Sequence, residues 1–380
     1  MKHRAYKYRF YPTFKQKELL LQTFGCIRVV YNKSLHVRQE AYINDNIKIG
    51  YHETSSLLTE WKQLEEYKWL NDVSSIPLQQ SLRHVQKAFT NFFAGRAKYP
   101  NFKKKSSFQS AEFTKSAFRW DGKNLFLAKT KDPLNIRWSR YFSGDPSTVT
   151  ISKDSANRYF VSILVKEEIP YLDKSENSIG IDVGLKSLVT LSTGETIKGI
   201  NSFRTNETKL AKLQRKLSSK RIGSNNRDKA RLKVARLHAK IADTRRDFNH
   251  KLSTRLIREN QTIAVETLSV KNMMKNSKLS KAIADASWGQ LLGFLKYKAE
   301  WYGRELIEID RWFPSSKRCS SCGYTLDNLP LSVRSWTCPE CRTLHDRDVN
   351  AACNILAVGQ AVSAFGENVS LVSCDISNSP

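Results

Sequence analysis

The spacing of hydrophobic residues changes several times along the chain, and each change marks a different predicted element. Residues 3–10 alternate aromatic with mostly basic side chains, and this period of two predicts a half-buried strand. Thr13, followed three residues later by Gln16, is typical of a capping box and predicts a helix that runs through about Phe24. From there to about Phe93 the period is mostly helical, so a helical region is predicted.

One segment of this region, PLQQSLRHVQKAFTNFF, has the clearest helical face. Its apolar residues recur at steps of three and four positions: Leu78, Leu82, Val85, Phe89 and Phe92. Gln80, Arg83 and Lys87 fall on the opposite side of the predicted helix. They are therefore free to contact a partner.

Between about residues 95 and 170 the pattern becomes strand-like. The runs VTISKD and RYFVSILVKE are bounded by Gly, Pro, Asp and Asn, as in a β-rich unit. We expect the N-terminal strand to complete this unit, with the helical region inserted into it. Residues 94–107, AGRAKYPNFKKKSS, are expected to form a basic linker or a loop that contacts a nucleic-acid backbone.

A change of composition at residues 171–177 introduces an α/β pattern. SIGIDVG predicts an apolar strand that ends at Asp182, and LVTL and ETIKGI predict two further antiparallel strands. After a long helical region, TIAVE predicts a buried strand that ends at Glu266. The remaining predicted elements are a helix over 285–304, a strand over 305–310 and a last helix that begins near 346–350. This order is that of an RNase H-like α/β domain.

The charge of the chain favours a polyanionic partner. Lys and Arg number 63 against 36 Asp and Glu, which gives a net charge of +27 and a sequence pI near 9.8. Nucleic acid is the commonest partner for such a chain. Residues 204–258 hold 18 Lys or Arg and 4 Asp or Glu beside a narrow apolar stripe, so we predict two helices that face nucleic acid.

The sequence gives no sign of a membrane or secretory protein. No apolar run approaches the length of a membrane span, and the N-terminus, MKHRAYKYRF, lacks the apolar stretch of a signal peptide. We therefore expect a cytoplasmic, nucleoid-associated protein with no membrane partner.

Four of the seven cysteines have the spacing of a metal site. Cys319, Cys322, Cys338 and Cys341 follow the pattern C-x2-C-x15-C-x2-C. Two Cys-x-x-Cys turns can direct four thiolates at one ion, and zinc suits this soft ligand set. Four thiolates leave no open coordination position, so the predicted zinc is structural. The nearby His345 is expected to be a surface or core histidine.

Three acidic residues occupy the ends of predicted elements. Asp182 and Glu266 each end a strand, and Asp348 starts the last helix. If the three elements pack side by side, their carboxylates converge where α/β sheets bind ligands. Two Mg2+ ions, about 3.5–4 Å apart, would offset the repulsion and could activate water for phosphodiester hydrolysis. Asp346 competes with Asp348 for this role, and the position of Asp348 two residues before Asn350 favours Asp348.

A series of short segments occurs in the order in which one known family has them. They are YKYRFYPT, FGCIRVVYN, PLQQSLRHVQKAFTNFF, YPNFKKK, IGIDVGLKSLVTLSTGE, RRDFNHKLSTRLIREN, AVETLSVKNMM, DASWGQLLGFLKYKAEWYGRELIEID, PSSKRCSSCG, CPEC and HDRDVNAACNIL. Together they resemble the TnpB family, which comprises transposon-encoded, RNA-guided DNA nucleases related to the type V CRISPR effectors. The resemblance is most specific in residues 178–356 and looser over 35–75 and 110–170.

The resemblance implies a multidomain α/β architecture. The implied parts are a wedge-like β-barrel domain (1–12 and 95–172), a helical recognition insert (13–94), an RNase H-like RuvC nuclease domain (173–314 and 345–380) and a zinc-ribbon target-nucleic-acid-binding insert (315–344). Asp182, Glu266 and Asp348 would be the catalytic triad that holds magnesium, and the four cysteines would bind zinc.

The resemblance also implies two nucleic-acid partners. These are a guide RNA derived from the transposon end and a target DNA that is cut beside a short adjacent motif, which the segment around Gln79–Lys87 is a candidate to read. In such systems base pairing reads the sequence, and the protein holds the backbone. The predicted nucleic-acid contacts are Gln79, Gln80, Arg83, Lys87, Lys103, Lys104, Lys105, Arg215, Lys216, Lys220, Arg221, Arg245 and Arg246. The resemblance is compatible with either a monomer or a dimer.

Two other functions stay open at this point. A nuclease-inactive, RNA-guided DNA-binding repressor would be expected to lack one of the three acids, and all three are present. A DNA-joining transposase would share the fold and the metals but would need no guide RNA. Copurifying RNA would separate the transposase from the other two, and a Mg2+-dependent cleavage assay would separate the nuclease from the repressor.

Overall fold

The structure is a computed structural model that describes residues 1–106 and 108–365. The chain divides into two compact units, Met1–Glu168 with Arg231–Arg236, and Ile169–Ala230 with Leu237–Pro380. Each unit has its own sheet and its own hydrophobic core. Residues 366–380, which end the predicted nuclease domain, lie outside the described residues.

The first unit contains a sheet and a group of helices. Its elements are β1 (Lys2–Phe10), α1 (Phe14–Asp45), α2 (Tyr51–Gln63), a 3-10 helix (Glu65–Asn71), α3 (Ser75–Phe93), β2 (Gln109–Thr114), a 3-10 turn (Lys115–Ala117), β3 (Phe118–Trp120), β4 (Leu125–Leu127), β5 (Ile136–Arg137), β6 (Pro146–Lys153) and β7 (Tyr159–Glu167). Its main sheet has the order β2-β6-β7-β1-β5, and β3 and β4 form a separate hairpin. The N-terminal strand therefore joins the later strands, which confirms that prediction.

Alternation along the strands places this sheet against the core. Tyr6, Tyr8 and Phe10 of β1 are buried, whereas Lys7 between them is exposed. On α3 the predicted apolar face is buried at Leu78, Leu82, Val85 and Phe89, and Phe92 is partly exposed. The helix prediction for this segment is therefore confirmed.

Helix α1 is longer than predicted. It continues past Phe24 to Asp45 and ends at Asn46, which has a left-handed backbone (φ 54°). Gly25 lies inside the helix, where a glycine costs only about 1 kcal/mol. Burial of Cys26 and Val30 on the same face outweighs that cost, and the helix continues.

The second unit contains the other sheet and the long basic helices. Its elements are β8 (Ser178–Asp182), β9 (Val189–Leu191), β10 (Thr196–Ile197), α4 (Ser202–Ser218), α5 (Asn225–Glu259), β11 (Thr262–Glu266), α6 (Val270–Met273), α7 (Ser280–Ala286), α8 (Trp288–Tyr302), β12 (Glu305–Ile309), β13 (Ser335–Thr337), β14 (Leu344–Asp346) and α9 (Arg347–Phe365). No helix within the described ranges is long and apolar enough to cross a membrane.

The sheet of the second unit has the order β10-β9-β8-β11-β12. Strands β10, β9 and β8 pair antiparallel, as predicted, whereas β8, β11 and β12 pair parallel. The predicted helix over 285–304 is in fact divided, because Ser287 adopts a left-handed backbone (φ 53°) between α7 and α8. The Asn249 side-chain amide donates a hydrogen bond to Ser287 Oγ (2.9 Å), which holds the break in place.

Helix α9 packs directly on this sheet. A Cβ atom at Gly180 of β8 would lie 2.0 Å from the Ala352 carbonyl oxygen, and one at Gly359 would lie 2.5 Å from the Ala264 side chain. Both distances are far below any real contact, so these two glycines allow the helix to approach the strands closely. The first turn of α9 is thereby brought next to the end of β8.

Candidate functional site

Two predicted acidic residues lie side by side at one edge of the second sheet. Asp182 is the last residue of β8 and Glu266 is the last residue of β11. The two strands are parallel, and Ile181 pairs with Val265, so Asp182 and Glu266 are the next residues on neighbouring strands. Parallel strands end at the same edge, which is where open α/β sheets bind their ligands.

The third acid comes from helix α9. Asp348 lies in its first turn, and its side chain is about one quarter exposed. The close packing of α9 on β8 at Gly180 carries this turn to the sheet edge. Asp348 is close enough to Asp182 for its charge to raise the pKa of Asp182.

Burial and neighbouring charges change the ionisation of two of these carboxylates. The pKa of Asp182 is raised to about 7, first by burial and then by the charges of Asp348 and Glu266, while Arg347 opposes the shift. Burial also raises the pKa of Glu266. The site therefore holds more negative charge than its surroundings compensate, and hard oxygen ligands of this kind suit a divalent cation such as Mg2+.

The structure separates the roles of Asp346 and Asp348. Asp346 Oδ1 accepts hydrogen bonds from the backbone N–H groups of Asp348 and Val349, both at 3.0 Å, as an N-terminal helix cap does. Asp348 makes no such bond, and its Oδ1 lies 3.4 Å from Nη1 of Arg334. Asp346 therefore caps the helix, whereas Asp348 is ion-paired with Arg334 and stays the predicted site residue.

This division predicts different outcomes for two neighbouring substitutions. Asp346→Ala should lower the free energy of unfolding by about 1 kcal/mol through loss of the cap, and it should leave DNA cleavage within a few-fold of normal. Asp348→Ala should remove cleavage and leave stability almost unchanged. Thermal unfolding measures the stability of each variant, and a DNA-cleavage assay measures its activity. Loss of cleavage in Asp346→Ala but not in Asp348→Ala would show that Asp346 is the site residue.

The four predicted cysteines form a compact cluster. Their sulfur atoms all lie within 4.8 Å of one another. The Cys319–Cys341 and Cys322–Cys338 Sγ distances are both 3.6 Å. A tetrahedral zinc site with Zn–S bonds of about 2.3 Å has sulfur–sulfur separations of about 3.8 Å. The described cluster therefore fits zinc in both donor type and spacing.

Nearby groups support this cluster. The side chain and backbone of Thr343 hold the pKa of Cys341 down at about 6, which favours the thiolate that zinc binds. His345 is buried, with Nε2 3.0 Å from Cys319 Sγ and its ring 4.8 Å from that of Trp336. His345 is thus a core histidine beside the cluster, as expected.

Two side chains on α9 form a clasp: they hydrogen-bond to the backbone at the start of the cysteine segment, the stretch 315–344 that carries the four cysteines. Asn354 Nδ2 donates to the carbonyl oxygens of Ser315 (2.8 Å) and Arg318 (2.6 Å). Asn350 Nδ2 also donates to Arg318 O (2.7 Å), and Asn350 Oδ1 accepts from the backbone N–H of Ser320 (2.9 Å). Both asparagines are at most 4% exposed. The segment is therefore fixed to the helix that bears Asp348.

The contacts of these asparagines with the cysteine segment were missed by sequence reasoning, although a signal was present. Two Asn residues four positions apart lie on one face of a helix that is otherwise rich in Ala, Val, Leu and Ile. Polar groups buried in such a face must have hydrogen-bond partners, which here belong to the cysteine segment.

Most of the predicted nucleic-acid contacts are on the surface. Exposed members are Arg83, Lys87, Lys104, Lys105, Arg215, Lys216, Lys220, Arg221 and Arg246, and Gln79 and Gln80 are partly exposed. Lys103 instead lies over the Tyr31 ring (4.2 Å), and its backbone N–H donates to Asn32 Oδ1 (2.8 Å). Arg245 Nη1 donates to the carbonyl oxygen of Ala284 (2.8 Å). These last two therefore have contacts within the protein itself.

Models of three protein families match parts of the chain. The model described as "Probable transposase" matches residues 161–277, "Cas12f1-like, TNB domain" matches 288–355, and "Helix-turn-helix domain" matches 1–46. The second match includes the four cysteines and Asp348. Residues 1–46 form β1 and the single helix α1, so the description of the third model does not fit the local fold.

Two curated proteins match nearly the whole chain. The "Putative RNA-guided DNA endonuclease" of Streptomyces pristinaespiralis is 55% identical over 369 residues, which are 96% of this chain and 92% of that protein. The "Putative RNA-guided DNA endonuclease InsQ" of Escherichia coli (strain K12) is 35% identical over 383 residues, with 96% and 94% covered.

One solved structure has a similar fold. It is the "Cryo-EM structure of the Cas12f1-sgRNA-target DNA complex", with a TM-score of 0.56, 15% identity, and coverage of 90% of this chain and 83% of that one. The chain therefore has an α/β fold like that of this compact effector.

Proposed function

The chain belongs to the TnpB family of OrfB-type proteins, and from this premise we propose that it is an RNA-guided DNA endonuclease that cuts target DNA beside a short adjacent motif. The names of the two full-length relatives support this activity. The observation that carries the proposal is that Asp182 and Glu266 end neighbouring parallel strands, and that burial, followed by the charges of Asp348 and Glu266, raises the pKa of Asp182.

In the proposed reaction Asp182, Glu266 and Asp348 supply oxygen ligands to divalent cations. Two bound Mg2+ ions would lower the pKa of a water and stabilise the leaving oxygen of the phosphodiester. Asp182 would have to be deprotonated to act as a ligand, and the positive charge of the bound cations would offset the repulsion among the carboxylates. The close packing of α9 on β8 supports a position of Asp348 near the ends of the two strands.

We also propose a domain assignment for the chain, which starts from its membership of the family. The antiparallel-then-parallel sheet with α9 on its face supports an RNase H-like RuvC domain over 173–314 and 345–380. The cysteine cluster and the match to the Cas12f1-like TNB model support a zinc-ribbon insert over 315–344. By the same premise we assign the sheet of the first unit to the wedge-like β-barrel domain (1–12 and 95–172), of which residues 169–172 lie in the second unit, and its helices to the recognition insert (13–94).

The proposed partners are a guide RNA and a target DNA, bound by a cytoplasmic, nucleoid-associated monomer or dimer. The exposed basic residues of α4 and α5 and of the 94–107 loop support contacts to nucleic-acid backbones. On α3, Arg83 and Lys87 are candidates to contact DNA next to the target.

The proposed function is tested by purification from the native locus with the RNA that accompanies the protein. That RNA should be sequenced, and matching DNA should be cleaved when it carries the adjacent motif and Mg2+ is present. Omission of the RNA, or addition of a chelator, should abolish cleavage. Cleavage that does not depend on the RNA, or no cleavage under any of these conditions, would contradict the proposal.

A second candidate is a DNA-joining transposase, because one matching family model is described as "Probable transposase". The same experiment separates the two, since a transposase would join DNA ends without any guide. A nuclease-inactive repressor is disfavoured because all three acids are present and grouped near one another.

A further inference from the structure

The cysteine segment contains a turn at residues 330–334, between its two Cys-x-x-Cys pairs, that contacts the start of helix α9. The backbone N–H of Val333 donates to the carbonyl oxygen of Pro330 (3.0 Å), which closes the turn. Leu329, just before the turn, is buried in the core of the segment, and Val333 packs against the same core. The turn is therefore held in shape from within the segment.

Arg347, the first residue of α9, holds this turn from the other side. Its Nη1 donates to the carbonyl oxygens of Pro330 (2.7 Å) and Val333 (3.4 Å), since one guanidinium nitrogen carries two N–H groups. Its backbone N–H donates to the carbonyl oxygen of Arg334 (2.8 Å). Arg347 is only 8% exposed. Buried charged groups need hydrogen-bond partners, so these carbonyl groups and Arg347 fix one another.

The position of this turn brings Arg334 to the third predicted acid. Arg334 Nη1 lies 3.4 Å from Oδ1 of Asp348, and the two side chains are 48% and 26% exposed. The backbone on both sides of the pair is fixed, because Ser335 pairs with Asp346 in the β13–β14 hairpin and Arg347 bonds to the Arg334 carbonyl group. The fold of the backbone therefore favours this ion pair.

A divalent cation at the sheet edge would compete with Arg334 for the carboxylate of Asp348. A hard cation binds the carboxylate oxygens directly, and so does the Arg334 guanidinium. A partly exposed ion pair is weak, so a cation can displace it. The pair would nevertheless lower the affinity for the cation by up to about fivefold, the equivalent of about 1 kcal/mol.

We propose that Arg347 is a positioning residue: it holds the 330–334 turn so that Arg334 covers the Asp348 carboxylate in the metal-free protein and releases it when a divalent cation binds. The role of Asp348 as a metal ligand rests on the proposed function. Movement of the cysteine segment away from α9 would uncover this carboxylate. The segment thereby controls how readily the sheet edge takes up its cation.

Mn2+ binding to the full-length, zinc-loaded protein tests the proposal without RNA, DNA or cleavage. Mn2+ replaces Mg2+ because electron paramagnetic resonance reports its free concentration. Arg334→Met removes the covering group and should tighten Mn2+ binding by about two- to fivefold. Arg347→Lys keeps the positive charge but loses the guanidinium fork, so it should release the turn. It should tighten Mn2+ binding by a similar factor and speed hydrogen exchange in residues 330–334.

The double variant of Arg347→Lys with Arg334→Met separates positioning from a purely structural role. If Arg347 acts through Arg334, the double variant should bind Mn2+ no more tightly than Arg334→Met alone. The matched control is Arg342→Met, which loses the same charge from an exposed position of the same segment. It should bind Mn2+ as the wild type does.

Tighter Mn2+ binding in both single variants, with no further gain in the double variant, supports the proposal. Unchanged or weaker binding in Arg334→Met overturns it, and so do additive effects of the two substitutions or an equal gain in Arg342→Met. Arg334→Met alters an exposed side chain, so the proposal stays falsifiable even if Arg347→Lys is unstable.

Failure of the proposed function gives a different result. If Asp182→Asn bound Mn2+ exactly as the wild type does, the carboxylates would hold no cation, and the proposed function would fail together with the role of Arg347. If Mn2+ binding responds to Arg334 and Arg347 as expected but the protein cuts no DNA, the endonuclease activity fails and the role of Arg347 stands.

Discussion

Substitution of Asp182 by Asn is expected to reduce guide-dependent DNA cleavage by about 10³-fold or more, with binding of guide RNA and target DNA retained. Asn keeps the shape of the side chain but removes a charged metal ligand from the sheet edge that Asp182 shares with Glu266 and Asp348. Single-turnover cleavage rates at saturating Mg2+, beside RNA and DNA binding curves, measure the effect.

The same variant should change how stability depends on pH when metal is absent. The pKa of Asp182 is raised to about 7 from 3.8, so between these values the folded protein binds more protons than the unfolded chain. Stability should therefore fall as pH rises through this window, by at most about 1.4 kcal/mol per pH unit, and level off above it. In Asp182→Asn the part of this slope that comes from Asp182 should be lost and the part that comes from Glu266 should remain, as unfolding measured without added Mg2+ can show.

A matched control is Asp346→Asn, because asparagine caps helices as well as aspartate does. It changes an acid to its amide near the same site and should preserve both cleavage and the pH slope. If Asp182→Asn cut DNA at the wild-type rate, the assigned triad would be wrong, whatever the fate of the RNA-guided function.

Substitution of Cys338 by Ser is the second change with a large expected effect. The loss of one of four thiolates should abolish tight zinc binding, which in zinc-finger peptides supplies about 10–16 kcal/mol of apparent free energy. Cys338 is fully buried in the ribbon core with Trp336 and Leu329. We expect less than one zinc per chain by elemental analysis, together with increased proteolysis confined to residues 315–344.

Cleavage should be lost together with the ribbon, because the ribbon is clasped to the helix that bears Asp348. Asn350 and Asn354 hold the backbone of Arg318 at 2.7 and 2.6 Å, and an unfolded ribbon would leave both buried amides without partners. The control is Cys353→Ser, a free cysteine of α9 outside the cluster, which should retain one zinc and full activity. Full cleavage by zinc-free Cys338→Ser would show that catalysis does not need the folded ribbon, and it would contradict this prediction.

The sequence by itself determined the features that depend on short-range pattern. Each Cys-x-x-Cys turn directs its two thiolates locally, so the cluster could be predicted from the spacing of the cysteines alone. In the fold the four sulfur atoms do lie close together. The strands Ser178–Asp182 and Thr262–Glu266 could also be predicted from sequence, because a buried parallel strand is a short apolar run between turns. Their ends therefore marked two of the three acids.

Other features were decided only by tertiary structure. The length of α1 depends on burial beyond Gly25, and the break at Ser287 is fixed by Asn249, which is distant in sequence. The sequence favoured Asp348 over Asp346 by position alone, whereas the capping role of Asp346 depends on the hydrogen bonds at the start of α9. The buried asparagine clasp likewise arises where separate segments meet. Local propensity describes which secondary structure a residue prefers. The hydrogen-bond partner of a buried polar group depends instead on which residue, distant in sequence, folding brings next to that group.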